Sequence, residues 1–342
     1  MTDVSCRTSF HNNQKQAHQN AKKPSLTRGG LIGLALLPLS ACGGAGSSPT
    51  GGTVTPPPPP APDFTENPTN TFTARDDNDS TLDQNDSNAD LTVIGKAGND
   101  TIATGAGADM IRGGEGADNI NAGDGDDVIV VVGTTTANQY DAASITNPAG
   151  SGVDLSSLIT LEDLNGRSVS EVTTGEVIDG GAGNNTLYIY GTVDLTGVTL
   201  TNVTQLIVNS DVTLTAAQIA QFTTIDGDGN SVINIVVPEG SGEVILDLNM
   251  IDVSDIGSLN ITGDLTIRMS SFDDVAGISQ VTVDELGALK LSVVNGDASS
   301  TINLADIAAT FGQVDVIDLG DQVTLTIANA SDVTDLGLTE IS

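Results

Sequence analysis

An all-β fold wound as a parallel solenoid is what this sequence predicts, on three observations. A nine-residue pattern repeats without insertion from residue 95 to residue 130. The apolar residues are mainly Val, Ile, Leu and Ala, with six Phe, three Tyr and no Trp in 342 residues, a composition suited to strands around a narrow core. Beyond residue 175, short runs of alternating Val, Ile, Leu and Thr are broken by Gly, Asn and Asp, as many short strands would be.

Charge narrows the function classes. The chain has 45 acidic and 11 basic residues, two histidines and two cysteines. His11, His18, Cys6 and five of the basic residues precede Cys42. The remaining chain has no histidine, a single cysteine and a formal charge near −38. Imidazole catalysis, disulfides, histidine-ligated zinc or haem and a basic nucleic-acid surface are excluded there, so no nucleic-acid partner is expected.

The first element is a leader over residues 1–41. Lys22, Lys23 and Arg28 precede an apolar run of about nine residues at 31–39, far short of the ~20 that a spanning helix needs, and small residues follow. Leu39, Ser40, Ala41 and Cys42 resemble the bacterial lipobox, which implies lipidation of Cys42 and an outer-membrane lipoprotein facing the cell surface or the periplasm. The alternative is an ordinary signal followed by an unmodified cysteine. Residues 42–70, rich in Gly, Ser, Thr and Pro with five consecutive prolines at 56–60, read as a disordered tether reaching up to roughly 80 Å. Residues 71–90 form an acidic lead-in, whose aspartates read as a solvated face or cap.

Four repeats follow, at 95–103, 104–112, 113–121 and 122–130. Position four is Gly98, Gly107, Gly116 and Gly125; position six is Asp100, Asp109, Asp118 and Asp127; position eight is Ile102, Ile111, Ile120 and Ile129. Position two is Gly105, Gly114 and Gly123, with Lys96 as the exception, and Gly95 and Gly113 hold position one in alternate repeats. Glycine suits sharp bends that bring carbonyl oxygens close to whatever occupies them. The isoleucines suit a stacked, β-branched core ladder. The aspartates face the bends.

This pattern resembles the calcium-binding nonapeptide of RTX (hemolysin-type) proteins, over 36 residues. The resemblance implies a right-handed parallel β-roll over 91–132, in which two nonapeptides make one 18-residue coil. Asp100 then pairs with Asp118 and Asp109 with Asp127, and like charges brought together call for a hard divalent cation. Ca2+ accepts six to eight oxygens in loose geometry, so about two complete sites and partial end sites are expected. The named glycines would form the metal-binding turns. Asx turns in a metal-free solenoid and low-complexity disorder are the competing readings.

Residues 133–175 read as a polar connection and 176–342 as an irregular β-solenoid. Residues 180–188 keep the glycine turn of the repeat but carry Asn185 at position six, so their calcium capacity is in doubt. Asp226, Gly227, Asp228, Gly229 and Asn230 resemble a calcium loop, yet Val237 stands where an EF-hand needs glutamate, so a turn is expected. At 217–225, 271–278 and 305–311 a short helical or turn piece leads into a strand, a looser repeat that implies stacking. Residues 314–336 are similar to segments of large RTX surface adhesins.

The function expected is therefore a calcium-binding, envelope-anchored structural or adhesive protein. Its partners would be membrane lipid through Cys42 and acidic polysaccharide, lipopolysaccharide or a surface-layer protein. The alternative is a polysaccharide lyase or glycosidase, since some parallel β-helices are such enzymes. Asp252, Asp255, Asp273 and Asp274 are carboxylate candidates with no basis for choice among them, and Arg167, Arg268 and Lys290 are the only basic residues beyond the repeats.

Overall fold

The computed structural model describes residues 63–67, 69–284, 287–294, 300–321, 323–327, 333–334 and 336–342. The leader, Cys42 and the tether up to residue 62 lie outside the described residues.

Stacked apolar side chains set the register. On one sheet Leu82, Ile102, Ile120, Ile178 and Leu200 pair in successive parallel strands. On the facing sheet Phe72, Val93, Ile111, Ile129, Leu187, Leu206 and Ile225 do the same. Both rows are buried and belong to one core. From Val93 to Ile111 to Ile129, and from Ile102 to Ile120, the step is 18 residues, so two nonapeptides make one coil. The fold is a parallel β-roll continued as a β-solenoid. An antiparallel pair, Phe64–Asn67 with Thr71–Ala74, covers its first edge. The acidic lead-in is thus built into the coils: its strand Thr81–Ser87 pairs with Thr101–Ala106.

Between Ile129 and Leu187 the step is 58 residues, one coil plus 40 inserted residues. The insertion carries a short helix, Ala142–Thr146, started by an Asp141–Ser144 capping box. The expected polar connection is instead a packed flap. Its Ile145, Leu155, Leu158, Ile159 and Leu164 cover Val130, Val132, Tyr188, Tyr190 and Ile207 on the outer face of the sheet, making a second core. Strands Val128–Val132 and Thr186–Tyr190 are consequently covered on both faces, which is why they are apolar without alternation. Tyr190 donates to the Ser144 carbonyl (2.6 Å), and its ring meets Tyr140 edge-on at 5.4 Å.

Arg112 fastens the flap. Its guanidinium donates to Glu171 (2.6 and 3.1 Å) and to the Leu158 carbonyl (3.0 Å), and it pairs with Asp163 (3.3 Å). Arg167 pairs with Glu115 (2.7 Å).

Further on the coils widen. Leu246, Ile267, Leu291, Ile317 and Ile341 stack with steps of 21 to 26 residues. Short helices occur at Ala216–Ile219, Phe272–Val275 and Leu304–Thr310, at the three expected places, and each precedes a strand. The 226–230 segment is a bulge in strand Thr224–Val236, where Asp228 accepts from the Asn230 N–H (2.9 Å) and the Ser231 hydroxyl (2.7 Å). Part of the adhesin-like stretch, 328–332, lies outside the described residues.

Candidate metal centre

The 18-residue coil brings the position-six side chains into two columns, one at each edge of the roll. In the first, Asp100 Oδ1 accepts the Ser80 N–H (2.7 Å) and Asp118 Oδ1 accepts the Asp100 N–H (2.8 Å). In the second, Asp109 Oδ1 accepts the Leu91 N–H (2.8 Å) and Asp127 Oδ1 the Asp109 N–H (2.9 Å). One carboxylate oxygen of each residue thus serves the turn of the coil before it.

The other oxygen has nothing to do. All four aspartates are at most 1% exposed, and the Oδ2 of each is buried without a hydrogen-bond partner. A buried polar atom left unmatched costs about 1–3 kcal/mol, more when charged, so four of them in register need an explanation. Among the described residues, no three His, Cys, Asp or Glu side chains converge as a metal cluster. A cation here would take further oxygens from backbone carbonyls or water, as calcium does readily.

The glycines leave the space and supply the carbonyls. A Cβ on Gly95 would lie 2.5 Å from Asp100 Oδ2 and run into the Gly113 carbonyl, so a carboxylate and a carbonyl oxygen converge where that side chain is missing. A Cβ on Gly113 would likewise strike Asp118 Oδ2. These two glycines keep ordinary φ angles, so their contribution is room. Gly98, Gly105, Gly107, Gly114, Gly116, Gly123 and Gly125 take φ between 94° and 150°. A Cβ on Gly116 or Gly125 would collide with the carbonyl of Gly98 or Gly107 one coil below. Lys96 makes the same left-handed turn with φ 74°.

Burial pushes these carboxyls toward the neutral form. Asp100 rises from 3.8 to about 6, while Asp118 and Asp127 rise to about 7, with repulsion from Asp100 and from Asp109 adding to the effect; burial raises Asp109 as well. The fit to a divalent cation rests on the orphaned oxygens and the glycine cradles: these groups lack only an opposite charge.

Position five makes a separate ladder. Asp79 accepts the Asn99 N–H (2.8 Å), Asn99 that of Ala117 (2.8 Å), Asp90 that of Ala108 (2.9 Å) and Asp126 that of Asn184 (2.8 Å). Asp79 and Asp90 of the lead-in therefore act as turn acceptors.

Two column members lie beyond the four strict repeats. Glu176 follows Asp118, because Val177 pairs with Asn119; Asn185 follows Asp127, because Thr186 pairs with Val128. Counting back nine residues from Gly180 would have placed Glu176 at position six and Ile178 at position eight. Glu176 is 2% exposed, its Oε2 has no partner, and burial together with Asp118 raises it to about 8. Asn185 accepts the Asp127 N–H (3.0 Å) and donates to the Asn202 carbonyl (2.9 Å).

Of the carboxylates considered for sugar chemistry, Asp273 and Asp274 lie in the short helix Phe272–Val275. Asp274 is used as a helix cap, accepting from the Ser270 and Ser271 N–H groups (2.6 and 3.0 Å). Arg268 and Lys290 are ion-paired with Asp247 (3.3 Å) and Asp318 (3.1 Å).

The family model of the RTX calcium-binding nonapeptide repeat (4 copies) matches residues 94–129 and 173–188. No curated protein and no solved structure matches the chain. The matched residues lie on both sides of the insertion and contain both acidic columns, so the chain carries RTX nonapeptide repeats, a motif that binds Ca2+.

Proposed function

We propose that this protein is a calcium-stabilised solenoid, anchored to the outer membrane through lipidated Cys42 and serving attachment at the cell surface. Asp100 with Asp118, and Asp109 with Asp127, hold the ions, with bend carbonyls completing each shell. The observation that carries this reading is the row of four buried Oδ2 atoms without partners, each aspartate at most 1% exposed. Ion binding is then part of folding: calcium supplies the opposite charge that lets the coils close. Free calcium at the ~0.1 to 1 mM level typical of extracellular modules would complete the fold only outside the cytoplasm.

The strongly negative surface, with a formal net charge of −34 over the whole chain, supports a role in which divalent ions bridge to acidic polysaccharide, lipopolysaccharide or a surface-layer protein. Circular dichroism of the chain, stripped with chelator and then titrated with calcium, tests the metal reading: β-structure should grow with calcium, and an unchanged spectrum sinks it. Protease digestion of intact cells in calcium tests display; complete protection would move the protein to the periplasmic face.

A further inference from the structure

The acidic column of Asp100 and Asp118 does not stop at the insertion. Val177 pairs with Asn119 and donates its N–H to the Asp118 carbonyl (2.8 Å), so Glu176 occupies the next position above Asp118. One oxygen of its carboxyl is left over: Glu176 is 2% exposed and Oε2 has no partner, like Asp118 Oδ2. Nor is there a counter-ion. The nearby guanidiniums are committed elsewhere, Arg112 to Glu171 and Asp163, Arg167 to Glu115 and Glu171. Among the described residues neither Asp118 nor Glu176 makes a salt bridge.

The opposite edge shows how a column ends without an ion. There Asn185 stands above Asp127, and the atom in place of the orphaned oxygen is an amide nitrogen that donates to the Asn202 carbonyl (2.9 Å). A neutral amide closes that stack. Glu176 keeps the charge and leaves the oxygen unmatched.

From this asymmetry we infer that Asp118 and Glu176 form a further divalent-cation site, most suited to calcium, which bridges the nonapeptide block to the first coil after the insertion. The site rests on the calcium reading of the aspartate pairs. It adds a role for the flap: with Glu171 held by Arg112, the coil that carries Glu176 is brought into register only when the 40 inserted residues are docked. The ion would then tie the two sides of the insertion together.

Calcium uptake by the chelator-stripped full chain, measured by equilibrium dialysis, separates the two claims. Glu176→Gln, which keeps size and removes charge, should bind one calcium fewer than the unaltered chain at saturation, with the remaining ions held as before. An equal count in E176Q overturns the Asp118–Glu176 site while leaving the aspartate pairs intact. No uptake by the unaltered chain overturns both. If circular dichroism in saturating calcium shows that E176Q does not fold, Glu176→Asp decides: the shorter carboxylate should keep the count and weaken one ion's affinity, and unchanged affinity overturns the site.

Discussion

Stacked polar side chains occur in both parts of the solenoid, and the two parts handle them in opposite ways. In the wide C-terminal coils Asn234, Asn260 and Thr282 lie in register one above another. The Asn260 amide donates to Asn234 (3.1 Å) and accepts from the Thr282 and Ser258 hydroxyls (both 2.7 Å). Every link has a donor and an acceptor, so the stack is satisfied by protein alone. In the roll, Asp100, Asp118 and Glu176 offer acceptors only, and the five buried carboxylate oxygens without partners among the described residues all belong to the two acidic columns. One ladder is self-sufficient; the other needs an ion. Stability should therefore be conditional in the first half of the solenoid and unconditional in the second.

The largest effect should come from removing calcium. Hydrogen exchange read by mass spectrometry should show amides of 95–130 and 171–188 losing their protection altogether in chelator, while 253–293 stays protected. Equal loss across both halves would break the comparison, because it would mean that the whole solenoid folds as one calcium-dependent unit.

Next in size is Arg112→Ala. It leaves Glu171 buried at 2% exposure with the Val132 N–H at 3.1 Å and Arg167, at 3.5 Å, as its remaining counter-ion. Breaking a buried pair from one side costs about 3–5 kcal/mol, so the melting temperature of the calcium-loaded protein should fall and the flap should be cut early by protease. A variant with unchanged melting and protease resistance would show that the flap is held by its apolar contacts alone.

Asn185→Asp converts a neutral cap into another acidic rung. Without calcium it loses the bond to the Asn202 carbonyl and faces Asp127 with a like charge, a loss of about 1–3 kcal/mol. With calcium the loss should shrink, since an ion can serve the new oxygen. Melting curves with and without calcium read the difference, and equal destabilisation in both would count against ion-served columns.

How much of this was legible follows from where the period is kept. Residues 95–130 show the coil length, the isoleucine ladder and the stacked aspartates because three positions repeat in four rows. Glu176 is hidden because 40 inserted residues break the count and because glutamate replaces aspartate. The flap is hidden because its buried residues keep a helical spacing for one turn only, Leu155, Leu158 and Ile159, with Ile145 and Leu164 outside it. Its trace was in the strands: five consecutive Val and Ile at 128–132 imply cover on both faces. Asp79 and Asp90 miss the position-six register because they serve position five, where a side chain on one coil accepts an N–H from the next.

The last effect is that of pH, which falls on the roll and spares the asparagine ladder, and its sign differs between the two metal states. Burial raises Asp100 to about 6 and Asp118 and Asp127 to about 7, from 3.8. In the calcium-free chain the folded roll holds protons that the unfolded chain gives up above pH 4, so these groups favour folding most at low pH. That contribution is lost as pH climbs from about 4 to 7. With calcium bound the order reverses, because protons then compete with the ion for the same oxygens. The apo roll should thus exchange its amides faster as pH rises beyond the intrinsic rate increase, and the loaded roll should do so as pH falls, while the asparagine ladder at 234–282 changes little in either state. Parallel pH responses of roll and ladder, after correction for intrinsic exchange, would mean that the buried carboxyls do not set the difference between them.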